Sequence, residues 1–299
     1  MIDLPTEIRT ACQWVARRAR HVSIVTDAIP AYAAALPLDG PRPGDEHEPD
    51  DPDYWLTLDA INFGSGWFPT LRKRAGSSGY ETIAAGLRER FERHGPWSAA
   101  ELRAITAAEL AATLHQDPEH ELIALYARSL NDLGAHLDPD SAALISAAGD
   151  SAVALAGQLA RWECFGDASA YAGRVVPFYK RAQIAAADLA RAGAYRPSDL
   201  DRLTMFADNL VPHVLRLDGI LEFDPALTAR IESEQLIEHG SPEEVEIRAC
   251  AVHAVELIVA ARDRRASVTA AAVDQYLWNK GRQPRYKASP RHRSRCTAY

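Results

Sequence analysis

Apolar residues return at every third or fourth position through most of this chain, the spacing that lines one face of a helix. Ile8, Cys12, Val15 and Ala19 do so across 6–20, with Arg17, Arg18 and Arg20 turned outward. A second helix is expected near 27–36, ending before Pro37. Others are expected over 80–93, 98–113, 118–136 and 139–160, and over 178–192 from Pro177 to the stop at Gly193. The stretch 199–217 predicts a short helix and a longer one interrupted near Pro212. Ser241-Pro242-Glu243-Glu244 carries an N-cap serine, a first-turn proline and a capping-box glutamate, and opens a helix to about Arg262. A last helix is expected over 268–280. Period-two alternation is scarce, with Val22 to Thr26 and Val175 to Pro177 as weak strand candidates. The pattern predicts an all-α chain with few or no short strands.

Two segments depart from the helical period. Gly40 to Asp53 carries four prolines and six acids, and reads as an exposed acidic loop within a single domain spanning 1–299. Tyr54 to Phe68 packs Trp55, Leu58, Ile61, Phe63, Trp67 and Phe68 around Asp59 and Asn62, then turns at Gly64-Ser65-Gly66.

Composition strengthens the helical reading. Of 299 residues 54 are alanine, the best helix former. The net charge of −8 disfavours a general nucleic-acid coat, which must neutralise phosphates. The charge is uneven. Residues 280–299 hold Lys280, Arg282, Arg285, Lys287, Arg291, Arg293 and Arg295 and no acid, so without these seven cations the chain stands at −15. Cys12, Cys164, Cys250 and Cys296 form no CxxC pair, so no zinc framework or other metal cluster is visible. The start lacks a signal-peptide pattern, and apolar runs are too short to cross a membrane. A reducing cytoplasm is the expected setting.

The motifs for P-loop nucleotide hydrolysis, dinucleotide binding, zinc proteolysis and serine hydrolysis are absent. Four segments place polar groups inside apolar helical runs. Asp59 and Asn62 sit one turn apart among aromatics that suit a core. Lys180 and Gln183 share a helix face, as a solvated helix start or an anion site. Asp208 lies between Met205-Phe206 and Leu210-Val211, where a carboxylate needs a partner or holds its proton more tightly. It reads as a helix cap, as a partner of Arg202, or as a general base. Glu246, Arg248, His253 and Glu256 punctuate an apolar helix; a buried ion pair is the simpler reading, preferred for Arg248 and His253.

Taken together, Phe178–Ile184 (FYKRAQI), Leu203–Pro212 (LTMFADNLVP), Gly240–Cys250 (GSPEEVEIRAC) and Val273–Trp278 (VDQYLW) resemble the queuosine salvage protein family in order and spacing. Asp59-Ala60-Ile61-Asn62-Phe63 and the terminal His292-Arg293-Ser294-Arg295 fit the same likeness, which is densest over 175–280. Asn209, Leu210 and His213 replace the Tyr, Arg and Gln common in the family. Gly64-Ser65-Gly66-Trp67-Phe68 stands where many members have a shorter aromatic pair.

The resemblance implies a helical fold similar to that of helix-hairpin-helix DNA glycosylases. It implies hydrolysis of queuosine 5′-monophosphate to queuine and ribose 5-phosphate, with no cofactor. In that scheme Asp208 is the general base or the stabiliser of oxocarbenium charge. Asp59, Asn62 and Glu246 are expected to hold the base or its cationic aminomethyl arm, and Phe63, Trp67 or Trp278 to stack on it. Lys180, beside Gln183, is the expected phosphate partner, with His292, Arg293 or Arg295 as alternatives. The expected partner is thus a small nucleoside monophosphate, not nucleic acid or membrane. A non-catalytic nucleoside-binding protein, and a glycosylase acting on another modified nucleotide or nucleic acid, remain open alternatives.

Overall fold

The computed structural model describes residues 3–38, 49–137, 140–262 and 268–299. Helices dominate it. In chain order the elements are α1 (Leu4–Ala16), β1 (Val22–Ile24), α2 (Ile29–Ala35), α3 (Pro52–Ala60), α4 (Gly79–His94), α5 (Ala99–Ala104), α6 (Ala107–Leu114), α7 (Glu121–His136), α8 (Ser141–Ala148) and α9 (Ala152–Leu159). There follow β2 (Ala168–Tyr171), β3 (Arg174–Pro177), α10 (Lys180–Arg191), α11 (Leu210–Leu217), β4 (Leu221–Phe223), α12 (Pro225–Glu232), α13 (Pro242–Ala261), α14 (Ala270–Gly281) and α15 (Pro284–Lys287). The chain forms two compact units: Met1–His47 with Ala168–Lys180 and Asp201–Ser294, and Glu48–Asp167 with Arg181–Leu200 and Arg295–Tyr299.

The first unit is built around α13, which packs against α1, α2, α11 and α14. Val245, Ile247, Cys250, Val252, Val255 and Ile258 point around its whole circumference and are all fully buried. A helix apolar on every side must lie inside a core. Two antiparallel ribbons edge this unit, β1 with β4 (Val22 opposite Phe223) and β2 with β3. The expected strand segments at 22–26 and 175–177 are therefore present, and each found a partner the alternation did not signal.

The second unit is organised by α7, against which α3, α5 and α6 pack. Two expected helices are broken here. The stretch 98–113 divides because both Ser98 with Glu101 and Thr106 with Glu109 form capping boxes, so a new helix starts where the old would continue. The stretch 139–160 divides at Gly149, whose φ of +63° ends α8, after which Ser151 caps α9.

Two further boundaries differ in the first unit. Pro212 does not interrupt α11: the helix begins at Leu210, so Pro212 lies in the first turn, where its missing N–H costs no bond. The helix α12, capped by Asp224, was not foreseen. Of the expected acidic loop, residues 40–48 lie outside the described residues; Asp51 caps α3, so the helix takes in the last two residues of that stretch. The basic segment is ordered, with Tyr286, His292, Ser294, Cys296 and Tyr299 all buried.

Candidate active site

Asp208 is held by its own neighbourhood. Its N–H donates to the Phe206 carbonyl at 2.6 Å, closing a three-residue turn centred on Ala207. Its Oδ1 accepts the N–H groups of Leu210 and Val211 at 2.9 and 3.0 Å, the unsatisfied donors at the start of α11. The helix-cap reading is thus met, and Arg202 pairs with Asp3 instead. Burial pushes the Asp208 carboxyl above its usual range, while Lys180, the two N–H donors and Arg291 act in the opposite sense.

A second carboxylate accompanies it. Asp274, on α14, is buried and accepts the Phe206 N–H through Oδ1 at 3.1 Å. Burial first, then the charge of Asp208, pushes its carboxyl well up, with Lys180 opposing. Within the first unit, Asp208, Asp274, Lys180 and Arg291 therefore form one electrostatic cluster of two acids and two bases. Sequence reasoning singled out Asp208 and Lys180 and missed Asp274 and Arg291. Asp274 stands between Val273 and Leu277, both fully buried, which was a readable signal.

Phe178 and Tyr179 lead into Lys180, the first residue of α10, and Tyr179 takes a left-handed φ of +45°. Lys180 is buried, which excludes a solvated helix start. Gln183, buried as well, belongs to the second unit.

Glu246 is spent on the fold. Its Oε2 accepts the N–H groups of Arg20, His21 and Val22 at 2.9, 2.6 and 3.2 Å, and Oε1 accepts the Tyr171 hydroxyl at 2.7 Å. It anchors the entry to β1 through hydrogen bonds in place of an arginine partner. His292 is buried, its carbonyl accepts the Asn209 side-chain N–H at 3.0 Å, and burial lowers its imidazole to about 3. Arg293 pairs with Glu234 at 3.7 Å. Trp278 is half-buried under the Arg282 guanidinium, 5.1 Å from the ring centroid.

The second unit holds the remaining residues of interest. Asp59 is buried, and its Oδ1 accepts from the Asn62 amide at 3.4 Å, so the two do meet across one turn. Phe63 is a core residue, edge-on to Tyr126 at 4.9 Å and beneath the Arg181 guanidinium at 4.8 Å. Trp67 is buried and donates from Nε1 to Glu121 at 2.7 Å; Arg295 reaches the same carboxylate at 3.4 Å. Both rings are packed by protein groups. Arg181, fully buried, donates to the Ala60 carbonyl at 2.5 Å and was missed from sequence.

Comparison with known proteins sets this geometry in context. Residues 43–299 match the family model described as queuosine salvage protein. A protein of Sphaerobacter thermophilus named queuosine 5′-phosphate N-glycosylase/hydrolase is 39% identical over 262 residues, covering 82% of this chain and 80% of its own length. The protein of that name from Nematostella vectensis is 30% identical over 282 residues, with 83% and 81% covered. That from Dictyostelium discoideum is 38% identical over 145 residues, covering 45% and 44%.

Proposed function

Because this chain belongs to the queuosine salvage protein family, we propose that it hydrolyses the N-glycosidic bond of queuosine 5′-monophosphate, releasing queuine. The observation that carries the mechanism is the buried carboxylate of Asp208, fixed by two N–H donors and set among Asp274, Lys180 and Arg291.

As the C1′–N bond breaks, its electron pair leaves with the base and positive charge grows on the ribose. An ionised Asp208 stabilises that charge and takes a proton from the attacking water, whose oxygen bonds to C1′. The departing 7-deazaguanine has no N7 to protonate, so its charge must be met elsewhere. Burial and the Asp208 charge hold the Asp274 carboxyl well above its usual range, which suits it to deliver a proton to the leaving base. Lys180 is the phosphate partner in this reading; its charge also keeps Asp208 ionisable. The four cysteines are buried and unbridged, which suits the reducing cytoplasm we assign. No helix among the described residues is long and apolar enough to cross a membrane.

The test is incubation with queuosine 5′-monophosphate and detection of free queuine by mass spectrometry. Asp208→Asn abolishes release with helical circular dichroism unchanged; full activity in that variant removes Asp208 from the mechanism.

A further inference from the structure

We propose that Arg248 is a positioning residue for this reaction, fixing the Asp208 carboxylate through the carbonyl of Ala207. The proposal rests on the reading that Asp208 acts on the substrate.

Arg248 lies on α13, fully buried. Its Nε donates to the Ala207 carbonyl at 3.0 Å. Ala207 is the centre of the three-residue turn that carries Asp208, so this bond clamps the turn from outside. The guanidinium also lies 4.0 Å from the centroid of the Phe178 ring, two residues before Lys180. One planar cation thus touches the backbone leading into Asp208 and the ring leading into Lys180. A point-charge ammonium cannot make both contacts, because it lacks the flat face and the fixed Nε–H.

The cation is itself held. Glu244, one turn earlier on α13, lies 3.7 Å from Arg248 and 3.4 Å from His239. Burial raises the Glu244 carboxyl, but the His239 hydrogen bond, the Arg248 and His239 charges and the Gly240 N–H prevail and bring it to about 2. The carboxylate is therefore ionised throughout the neutral range. Burying such a pair costs desolvation that a well-packed apolar pair avoids, so stability alone gives little reason to keep it. Its geometry does: Ala207 is held on one side by Arg248, while Phe206 is held on the other by Asp274.

The test compares wild type with Arg248→Lys and Glu244→Gln by hydrogen exchange and steady-state kinetics. Exchange of the Leu210 and Val211 amides, which donate to Asp208, should speed about tenfold, with α7 amides unchanged. In Arg248→Lys kcat should fall about a hundredfold with KM within threefold, the signature of a misplaced reacting group. Glu244→Gln should lose about tenfold and serves if Arg248→Lys does not fold. Unchanged amide exchange, or a kcat loss that only follows the folded fraction, overturns the proposal. So does failure of both variants to fold, which makes the pair purely structural. If wild type itself releases no queuine, the functional reading fails, and the exchange data alone decide whether Arg248 positions Asp208.

Discussion

The Glu246 carboxylate accepts the His21 N–H at 2.6 Å, one of four hydrogen bonds that tie this side chain to the framework of β1. Glu246→Ala should strand three N–H donors and leave the Tyr171 hydroxyl only the Arg18 carbonyl, at 3.3 Å. We expect a loss of about 3 kcal/mol in urea unfolding, since each buried donor left without an acceptor costs on the order of 1–3 kcal/mol. The folded variant should keep kcat within twofold. A large kcat loss at unchanged stability would return Glu246 to the site.

Activity should fall on the acid side above the ordinary carboxylate range. Burial raises the Asp208 carboxyl, and the reaction needs it ionised, so turnover is lost as pH drops through that raised value. Lys180→Met removes a charge that favours the ionised form, so the acid limb of the kcat profile should move to higher pH. If Lys180 also takes the phosphate, KM for the 5′-monophosphate should rise about tenfold more than KM for the unphosphorylated nucleoside. An equal rise for both leaves Lys180 as a tuner of Asp208 only.

Truncation after Lys280 should prevent folding rather than trim a tail. It removes the Tyr286 hydroxyl that donates to Asp218 at 2.7 Å and the Arg293 carbonyl that accepts the Ile237 N–H at 2.9 Å. In the second unit it removes the Tyr299 carbonyl that accepts the Gly64 N–H at 3.0 Å. Soluble, cooperatively melting truncated protein would show these contacts to be dispensable.

Acid should destabilise the first unit through His213 as pH falls below about 6.5. His213 donates from Nε2 to the Tyr286 carbonyl at 2.9 Å, and burial lowers it from 6.5 to about 4. A histidine depressed in the folded state contributes stability above its unfolded pKa and loses it as pH falls toward the folded value. That window is pH 6.5 to 4, and the shift corresponds to about 3 kcal/mol. His213→Gln should flatten the stability profile across it; an unchanged slope would place the acid sensitivity elsewhere.

The helical period made most elements readable, because alanine-rich amphipathic runs leave few other options. Its errors fell where local chemistry outranks periodicity: at Thr106, whose hydroxyl starts a new helix, and at Pro212, which is harmless in a first turn. β2 and β4 are not legible because Ala168–Tyr171 and Leu221–Phe223 lack the β-branched residues that mark β1 and β3. Asp208 was legible as a carboxylate in apolar surroundings. Asp274 carries the same signal, a carboxylate between the buried Val273 and Leu277. Arg248 was read as structural, since one sequence cannot say which carbonyl a buried guanidinium will meet.

The order in which the units are assembled from the chain has a consequence for biosynthesis. β1 is complete within the first 24 residues, but its partner β4 emerges about 200 residues later, and α1 must await α13. The second unit gains Cys296, Ala298 and Tyr299 only at the end. The first core cannot close until α13 has been made, so the apolar faces of α1 and α2 stay uncovered while more than 200 further residues are added. Such long-range closure slows folding and favours chaperone capture. Because the two units interleave along the chain, no single cut in the gene separates them.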